Sequence, residues 1–405
     1  MQNKKNILIS IFCSIVLTAC GGGGGGGGST QSTPTSTSST FTAPASNGTS
    51  TNYFQYAWHT NKNITTIDGK SIDNNAHIHI TDAWTTTKGK YTQDSNQSVK
   101  VAVIDEDFDL THPDINGKII NAYNVMDNTT NVSNTNKSSF SHGTAVAGAI
   151  ASSENGNDNL GIAPEVELIL INIDLAEFDG DTSTATDLHF AAAFAKADEF
   201  GAKVINCSWG GDELGTKTLK EITNLKNKGT TIIFASGNGD SSSSNAIDHD
   251  SKSYTDPSEL DTVIGVGATS KDNDVTTYSN YGSKIDLLAP GGDSTLGIPL
   301  IDEVGTAGSN NSLGLVNNYY TFASGTSFAT PITSGVVALM YAVNPNLTFD
   351  DVRRILISTT DKIGTGANYQ NVTEYSTTLT FDSLRAFGKI NASAAVNQAS
   401  TEYVP

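Results

Sequence analysis

Cysteine is almost missing from this chain, and positive charge and long apolar runs are scarce. Only Cys13, Cys20 and Cys207 occur. Cys13 lies inside an N-terminal targeting stretch and Cys20 at its end. Cys207 is thus left without a partner, which excludes a disulfide framework. It sits in the run Val204-Ile205-Asn206-Cys207 and reads as a small buried residue. Lys and Arg number 23 against 42 Asp and Glu, a formal net charge of −19. Loss of Lys4 and Lys5 with the targeting stretch makes the rest more negative still. Such a surface repels nucleic acid and anionic lipid headgroups and argues against both as partners. No helix of membrane-spanning length is expected after the targeting stretch.

What is present begins with a signal. Lys4 and Lys5 precede the apolar stretch Ile7 to Leu17, which is too short for an ordinary transmembrane helix. It ends in Leu17-Thr18-Ala19-Cys20, which resembles the lipobox of bacterial lipoproteins. That resemblance implies cleavage before Cys20, a lipid on Cys20, and a place in the cell envelope. Gly21 after the Cys resembles lipoproteins sorted to the outer membrane of Gram-negative bacteria. Gly21 to Gly28 is unbroken glycine, and Ser, Thr and Pro dominate to about Asn52. This composition buries no core and reads as a disordered tether over 20–52. Its r.m.s. span is about 30 Å, from roughly 5–6 Å × √n. The signal is thus residues 1–19 and the folded domain residues 53–400.

From Val99 onward, short apolar runs alternate with helical patterns. Val99–Ile104, Val166–Ile173, Val204–Cys207, Thr231–Phe234, Val263–Val266 and Ile285–Leu288 read as strands. Thr184–Phe200, Leu219–Lys228 and Ser327–Val343 read as helices, the first with Leu188, Ala192, Ala195 and Phe200 near one face. Continuous apolar strands separated by helices predict an α/β fold in a single domain. Its central sheet is mainly parallel, with helices on both faces.

Four motifs carry chemistry. The run Val101-Ala102-Val103-Ile104-Asp105 puts a carboxylate at the carboxyl end of a strand, where such sheets place their sites. Ser141-His142-Gly143-Thr144-Ala145-Val146-Ala147-Gly148 puts a histidine at the start of a small-residue helix. Phe234-Ala235-Ser236-Gly237-Asn238 ends a strand and presents an amide. Gly325-Thr326-Ser327-Phe328-Ala329-Thr330-Pro331 puts a hydroxyl at a helix N-terminus, where free N–H groups favour negative charge. Pro331 is expected within about the first turn, where a missing N–H is tolerated.

These motifs, in the order Asp, His, Ser, resemble those of the subtilase family of serine peptidases. The resemblance runs from about Ala83 to Ala395 and includes His112-Pro113-Asp114. It implies a serine endopeptidase acting through an acyl-enzyme. Ser327 is the nucleophile, His142 the proton carrier, Asp105 its orienting carboxylate and Asn238 the oxyanion donor. It implies that Ser208-Trp209-Gly210-Gly211 pairs with an extended peptide as an added strand, beside Ala235, Ser236 and Gly237. Trp209 walls a pocket or belongs to the core. Thr255-Asp256-Pro257 matches the stretch that lines the family's main specificity pocket, where Asp256 either favours a basic side chain or serves only the local structure. No cofactor is needed for chemistry, but Asp114 and Asn155 match calcium ligands of some subtilisins, so a structural calcium ion is an expectation.

Two departures stand out. The family usually has Gly two places after the catalytic Asp, whereas here the run is Asp105-Glu106-Asp107. An Asp adopts positive φ at modest cost, and the added carboxylates raise the pKa values of Asp105 and His142. A folded pro-region of family size does not fit between Asn52 and Val99, so Tyr53–Gly89 is expected to wrap the domain. Two rival functions use the same motifs: a peptide-binding pseudoenzyme, and a surface-anchored processing peptidase dedicated to one partner protein.

Overall fold

The computed structural model describes residues 56–133, 140–153, 161–173, 175, 184–239, 245–304 and 320–403. The signal, Cys20, the tether and Asn155 lie outside the described residues. The described chain starts with a wrap. Strands β1 (Thr66–Ile67) and β2 (Lys70–Ser71) form a small ribbon, and α1 (Ile80–Ala83) follows. Two indoles pin the wrap. Trp58 Nε1 donates to the Gly297 carbonyl at 3.1 Å and Trp84 Nε1 to that of Ile162 at 2.8 Å.

Sheet and helix then alternate: β3 (Lys100–Asp105), β4 (Ile119–Asn124), α2 (His142–Ala151), β5 (Glu167–Asn172), α3 (Thr184–Glu199), β6 (Val204–Cys207), α4 (Thr216–Asn227), β7 (Thr231–Ala235), β8 (Ile264–Thr269) and β9 (Leu287–Pro290). These seven strands stand in the order β4-β5-β3-β6-β7-β8-β9. Every neighbouring pair is parallel. The rest is a hairpin of β10 (Ile298–Ile301) and β11 (Tyr320–Ala323), α5 (Thr326–Val343), α6 (Phe349–Ser358), a hairpin of β12 (Gln370–Glu374) and β13 (Thr377–Phe381), and α7 (Ala392–Thr401).

The fold is α/β with both sheet faces covered, which is why its strands are apolar at successive positions. Side chains alternate between two cores. Val101, Val103, Leu168 and Leu170 enter one, with α2, α5, α6 and α7. Ala102, Ile104, Ile169 and Ile171 enter the other, with residues of α3 and α4. Cys207 is buried and free, also in the second core.

Two expectations about helices need correction. On α3 the buried apolar residues are Ala193, Phe194 and Ala197, with Phe190 packed beside them, while Leu188, Ala192 and Ala195 are exposed. Alanines are too alike to mark a face, and the two phenylalanines set it. By length and composition α5 could cross a membrane, contrary to the expectation that no such helix follows the signal. All of it is buried inside the domain, so it is a core helix.

Helix α5 reaches Ile162 at Gly335, where an added Cβ would lie 2.5 Å from the Ile162 Cβ. Neither atom sits on a flexible side-chain end. Gly335→Ala should therefore destabilise the domain by about 1–3 kcal/mol. Urea unfolding in a Ser327→Ala background measures this free of self-digestion. An unchanged midpoint would show that the helix shifts at no cost.

Candidate active site

Asp105 is the last residue of β3, and its side chain is fully buried. Its Oδ1 accepts the backbone N–H of Glu106 at 2.8 Å and faces Nδ1 of His142 at 2.7 Å. A carboxylate oxygen only accepts, so Nδ1 carries the proton. In the neutral ring Nε2 is then the basic nitrogen. It is buried and makes no hydrogen bond.

His142 opens α2 because the preceding loop locks onto the Asp105 loop. The Ser141 hydroxyl donates to the Asp107 carbonyl at 2.7 Å, and the Gly143 N–H donates to the Glu106 carbonyl at 3.0 Å. The Asp109 N–H reaches Thr144 Oγ1 at 2.7 Å. Gly143 is required there, since a Cβ would stand 2.5 Å from the Glu106 carbonyl oxygen. Asp107 has φ of 59° and donates its N–H to Asn172 Oδ1 at 3.0 Å. The position where the subtilase pattern has Gly thus does need positive φ, and an Asp meets the need.

Ser327 is the second residue of α5. Pro331 lies in the second turn, not the first as expected. Having no N–H, it leaves the Ser327 carbonyl without its helical partner. Ser208 Oγ donates to that carbonyl at 2.8 Å, and Ser327 Oγ donates back to the Ser208 carbonyl at 3.1 Å. The nucleophile candidate and the segment after β6 are thereby joined. The Phe328 ring packs 5.8 Å from the His142 ring, centroid to centroid.

Asn238 comes to the same place. Its Oδ1 accepts the N–H of Thr326 at 2.8 Å and the Thr326 hydroxyl at 2.9 Å. The oxygen is fixed by a backbone donor, which leaves Nδ2 as a donor beside the start of α5. Asn280 escaped the sequence reasoning. Its Oδ1 accepts the N–H groups of Gly239 and Ile247, at 2.9 and 2.8 Å, and its carbonyl accepts the Ser236 hydroxyl at 2.9 Å. An Asn in a polar turn gives no signal of this role.

The segments expected to pair with a peptide leave the ends of neighbouring strands β6 and β7. Gly210, Gly211 and Gly237 are half-buried there. Trp209 is not a pocket wall. Its indole is buried, donates to the Ile104 carbonyl at 2.7 Å, and packs between Phe190 and Phe234 with centroids 5.0 Å from each. Asp256 is only 2% exposed. Its Oδ1 caps the turn Pro257–Glu259 by accepting the Ser258 N–H at 3.0 Å, and its Oδ2 lies 3.4 Å from Lys252 Nζ. A carboxylate held and paired in this way is a poor attractor for a basic substrate side chain.

A model of the subtilase family matches residues 96–388. The chain belongs to that family. A thermophilic serine proteinase from a Bacillus species is 33% identical over 291 residues, covering 71% of this chain and 61% of the relative. A calcium-dependent protease of Trichormus variabilis is 31% identical over 382 residues, covering 85% and 51%. The chain thus spans between half and two thirds of the length of these two relatives. Thermitase of Thermoactinomyces vulgaris is 28% identical over 292 residues, covering 71% and 88%. Among solved structures, a protease from Pseudoalteromonas arctica superposes with a TM-score of 0.63 at 24% identity, covering 87% and 99%, a likeness of fold.

Of the two residues matched to calcium ligands, Asp114 alone is described. Asp114 is fully buried, and its Oδ2 accepts the Tyr320 hydroxyl at 3.2 Å. Its proposed companion Asn155 lies outside the described residues, and no group of three His, Cys, Asp or Glu side chains suited to a metal occurs among them.

Electrostatics around the imidazole oppose one another. Burial pushes the His142 pKa down, but the charge and hydrogen bond of Asp105, and then the charge of Glu106, outweigh it and hold the pKa above its ordinary value. Of the two added carboxylates, Glu106 is the one that acts on the ring. A raised pKa keeps His142 protonated, and unable to take a proton, further up the pH scale. The acid limb of kcat/KM should therefore lie above about 6.5. Glu106→Gln at low salt should move that limb down, and Asp107→Asn should leave it in place. Coincident limbs for wild type and Glu106→Gln would show that solvent screens Glu106 fully.

Proposed function

We propose that this subtilase hydrolyses internal peptide bonds through a covalent acyl-enzyme. The observation that supports this best is the 2.7 Å contact between Asp105 and His142 Nδ1, which leaves Nε2 basic and unpaired beside the start of the Ser327 helix. An extended peptide pairs with Ser208–Gly211. The Ser327 hydroxyl turns from the Ser208 carbonyl to Nε2 and loses its proton to it as Oγ attacks the scissile carbonyl. Asn238 Nδ2 and the Ser327 N–H hold the oxyanion. Nε2–H then protonates the leaving amine, and the C–N bond breaks. Water repeats the sequence on the ester, giving its proton to Nε2 and freeing Ser327. Asp105 stays a carboxylate throughout and stabilises the imidazolium.

Ser327→Ala should lower turnover on the order of 10⁶-fold while the protein stays folded. Asn238→Ala should lower kcat roughly 10²–10³-fold with KM nearly unchanged. The direct check is a fluorophosphonate label mapped by mass spectrometry, with casein digestion alongside. Labelling elsewhere than Ser327, or Ser327→Ala activity within tenfold of wild type, would overturn the reading. Casein left intact while one envelope protein is cut would favour the dedicated processing peptidase.

The proposal extends to location: an exported enzyme held to the cell envelope by lipid on Cys20. It is supported by Leu17-Thr18-Ala19-Cys20 followed at once by the glycine run. Cys20→Ser should move the protein from the membrane fraction to the soluble or unprocessed one. A wild-type protein recovered wholly soluble, with unmodified Cys20 at its N-terminus, would refute the anchor.

A further inference from the structure

The segment that follows β10 touches both loops that carry the catalytic pair. Asp302 comes directly after Ile301, and its side chain is fully buried. Its Oδ1 accepts the backbone N–H of Ser141 at 3.2 Å and that of Glu303 at 2.8 Å. Two residues on, the Val304 N–H donates to Asp109 Oδ2 at 2.8 Å. Asp109 in turn belongs to the Asp105 loop and is tied to α2 through Thr144 Oγ1. Burial pushes the Asp109 pKa up, but the hydrogen bonds it accepts from Thr111 and Val304 outweigh that and hold it below its ordinary value. The same hairpin leads to the third catalytic element. Ile301 pairs with Tyr320 at the start of β11, and β11 runs through Gly325 into the Ser327 helix.

Ser141 is the N-cap of α2, and its side chain does not cap the helix. Its hydroxyl goes to the Asp107 carbonyl and pairs with Thr144 Oγ1 at 2.6 Å. The residue is wholly buried, so water has no path to replace an acceptor lost from its backbone N–H. A carboxylate at this place also lies on the favourable end of the helix dipole.

We propose that Asp302 is a positioning residue for catalysis. It fixes the N-cap of α2, and so the aim of the His142 ring, while its neighbour Val304 anchors the Asp105 loop. The proposal rests on Asp105, His142 and Ser327 being the working triad. Its prediction is specific to turnover, because Asp302 touches the scaffold of the ring and lies on neither peptide-pairing segment. A misplacement of about 1 Å at such a group costs up to about 10²-fold in rate.

The test is steady-state kinetics of the full chain on a fluorogenic peptide, with melting curves for each variant. Asp302→Ala should lower kcat about 10- to 100-fold, with KM within about twofold. Asp302→Asn keeps an acceptor at the same reach and should return kcat to within about threefold of wild type. Asp302→Glu moves the acceptor by one methylene and should fall well below Asn. If Ala fails to fold, the Asn and Glu variants carry the comparison. Wild-type kcat in Ala or Glu, or an Asn variant as slow as Ala, would overturn the proposal. An inactive wild type would instead strike down the triad reading, so the two failures are distinct.

Discussion

Ser208 and Ser327 each give a hydroxyl proton to the other's carbonyl, and the site is arranged around that exchange. It exists because Pro331 denies the Ser327 carbonyl its helical partner. A buried carbonyl must be paired, and the residue that answers stands at the mouth of the central strand β6. The tie continues inward. Asn206 Nδ2 donates to Ser208 Oγ at 2.9 Å, and Ser334, about two turns beyond Ser327 on α5, donates to Asn206 Oδ1 at 2.8 Å. Helix and strand are therefore registered by side chains rather than by packing alone. Ser327 inherits its place from that register.

Charge in the site is organised by the same economy of buried partners. Asp105, Asp302 and Asp256 are all carboxylates with almost no access to water. Each is met by donors fixed in the backbone: Glu106, Ser141 and Ser258. Such donors cannot drift, so the negative charges stand where the chain puts them. His142 is the exception, because only one of its nitrogens is held. The acidic surroundings that keep it protonated further up the pH scale are the ones that would cradle an imidazolium.

Much of this was legible in the residues. The strand ending at Asp105, the helix starting at His142 and the Gly-Thr-Ser run each combine a period with a punctuating residue, so local chemistry and fold agree. Positive φ at Asp107 was readable from a missing glycine. Other features were hidden because they are decided by distant parts of the chain. Trp209 follows a strand and precedes two glycines, yet its fate depends on Phe190, whose position is set by α3. Asp256 looked like a selector of basic side chains until Lys252 and Ser258 were brought to it. The hairpins of β10 to β13 are short and antiparallel, and their patterns are too brief to stand out beside the parallel strands. Asn280 sits in a polar stretch and Asp302 just past the apolar run of β10, and nothing local separates either from an ordinary loop residue.

The N-terminal wrap gives the domain a mechanical order of failure. A pull on the chain at residue 56 loads Trp58 first, through its indole bond to Gly297 and the packing around it. Next come the bond from the Ile78 N–H to His59, at 3.0 Å, and that from the Ala392 N–H to Ile78, at 2.8 Å. The buried ammonium of Lys389, bonded to the Asn75 carbonyl and to Asn273, adds a clasp between the wrap and the far end of the chain. These fastenings lie ahead of β3 on the chain. A pull from the N-terminal side would peel the wrap before it bent the strand that carries Asp105, so the Asp105–His142 contact is insulated from it.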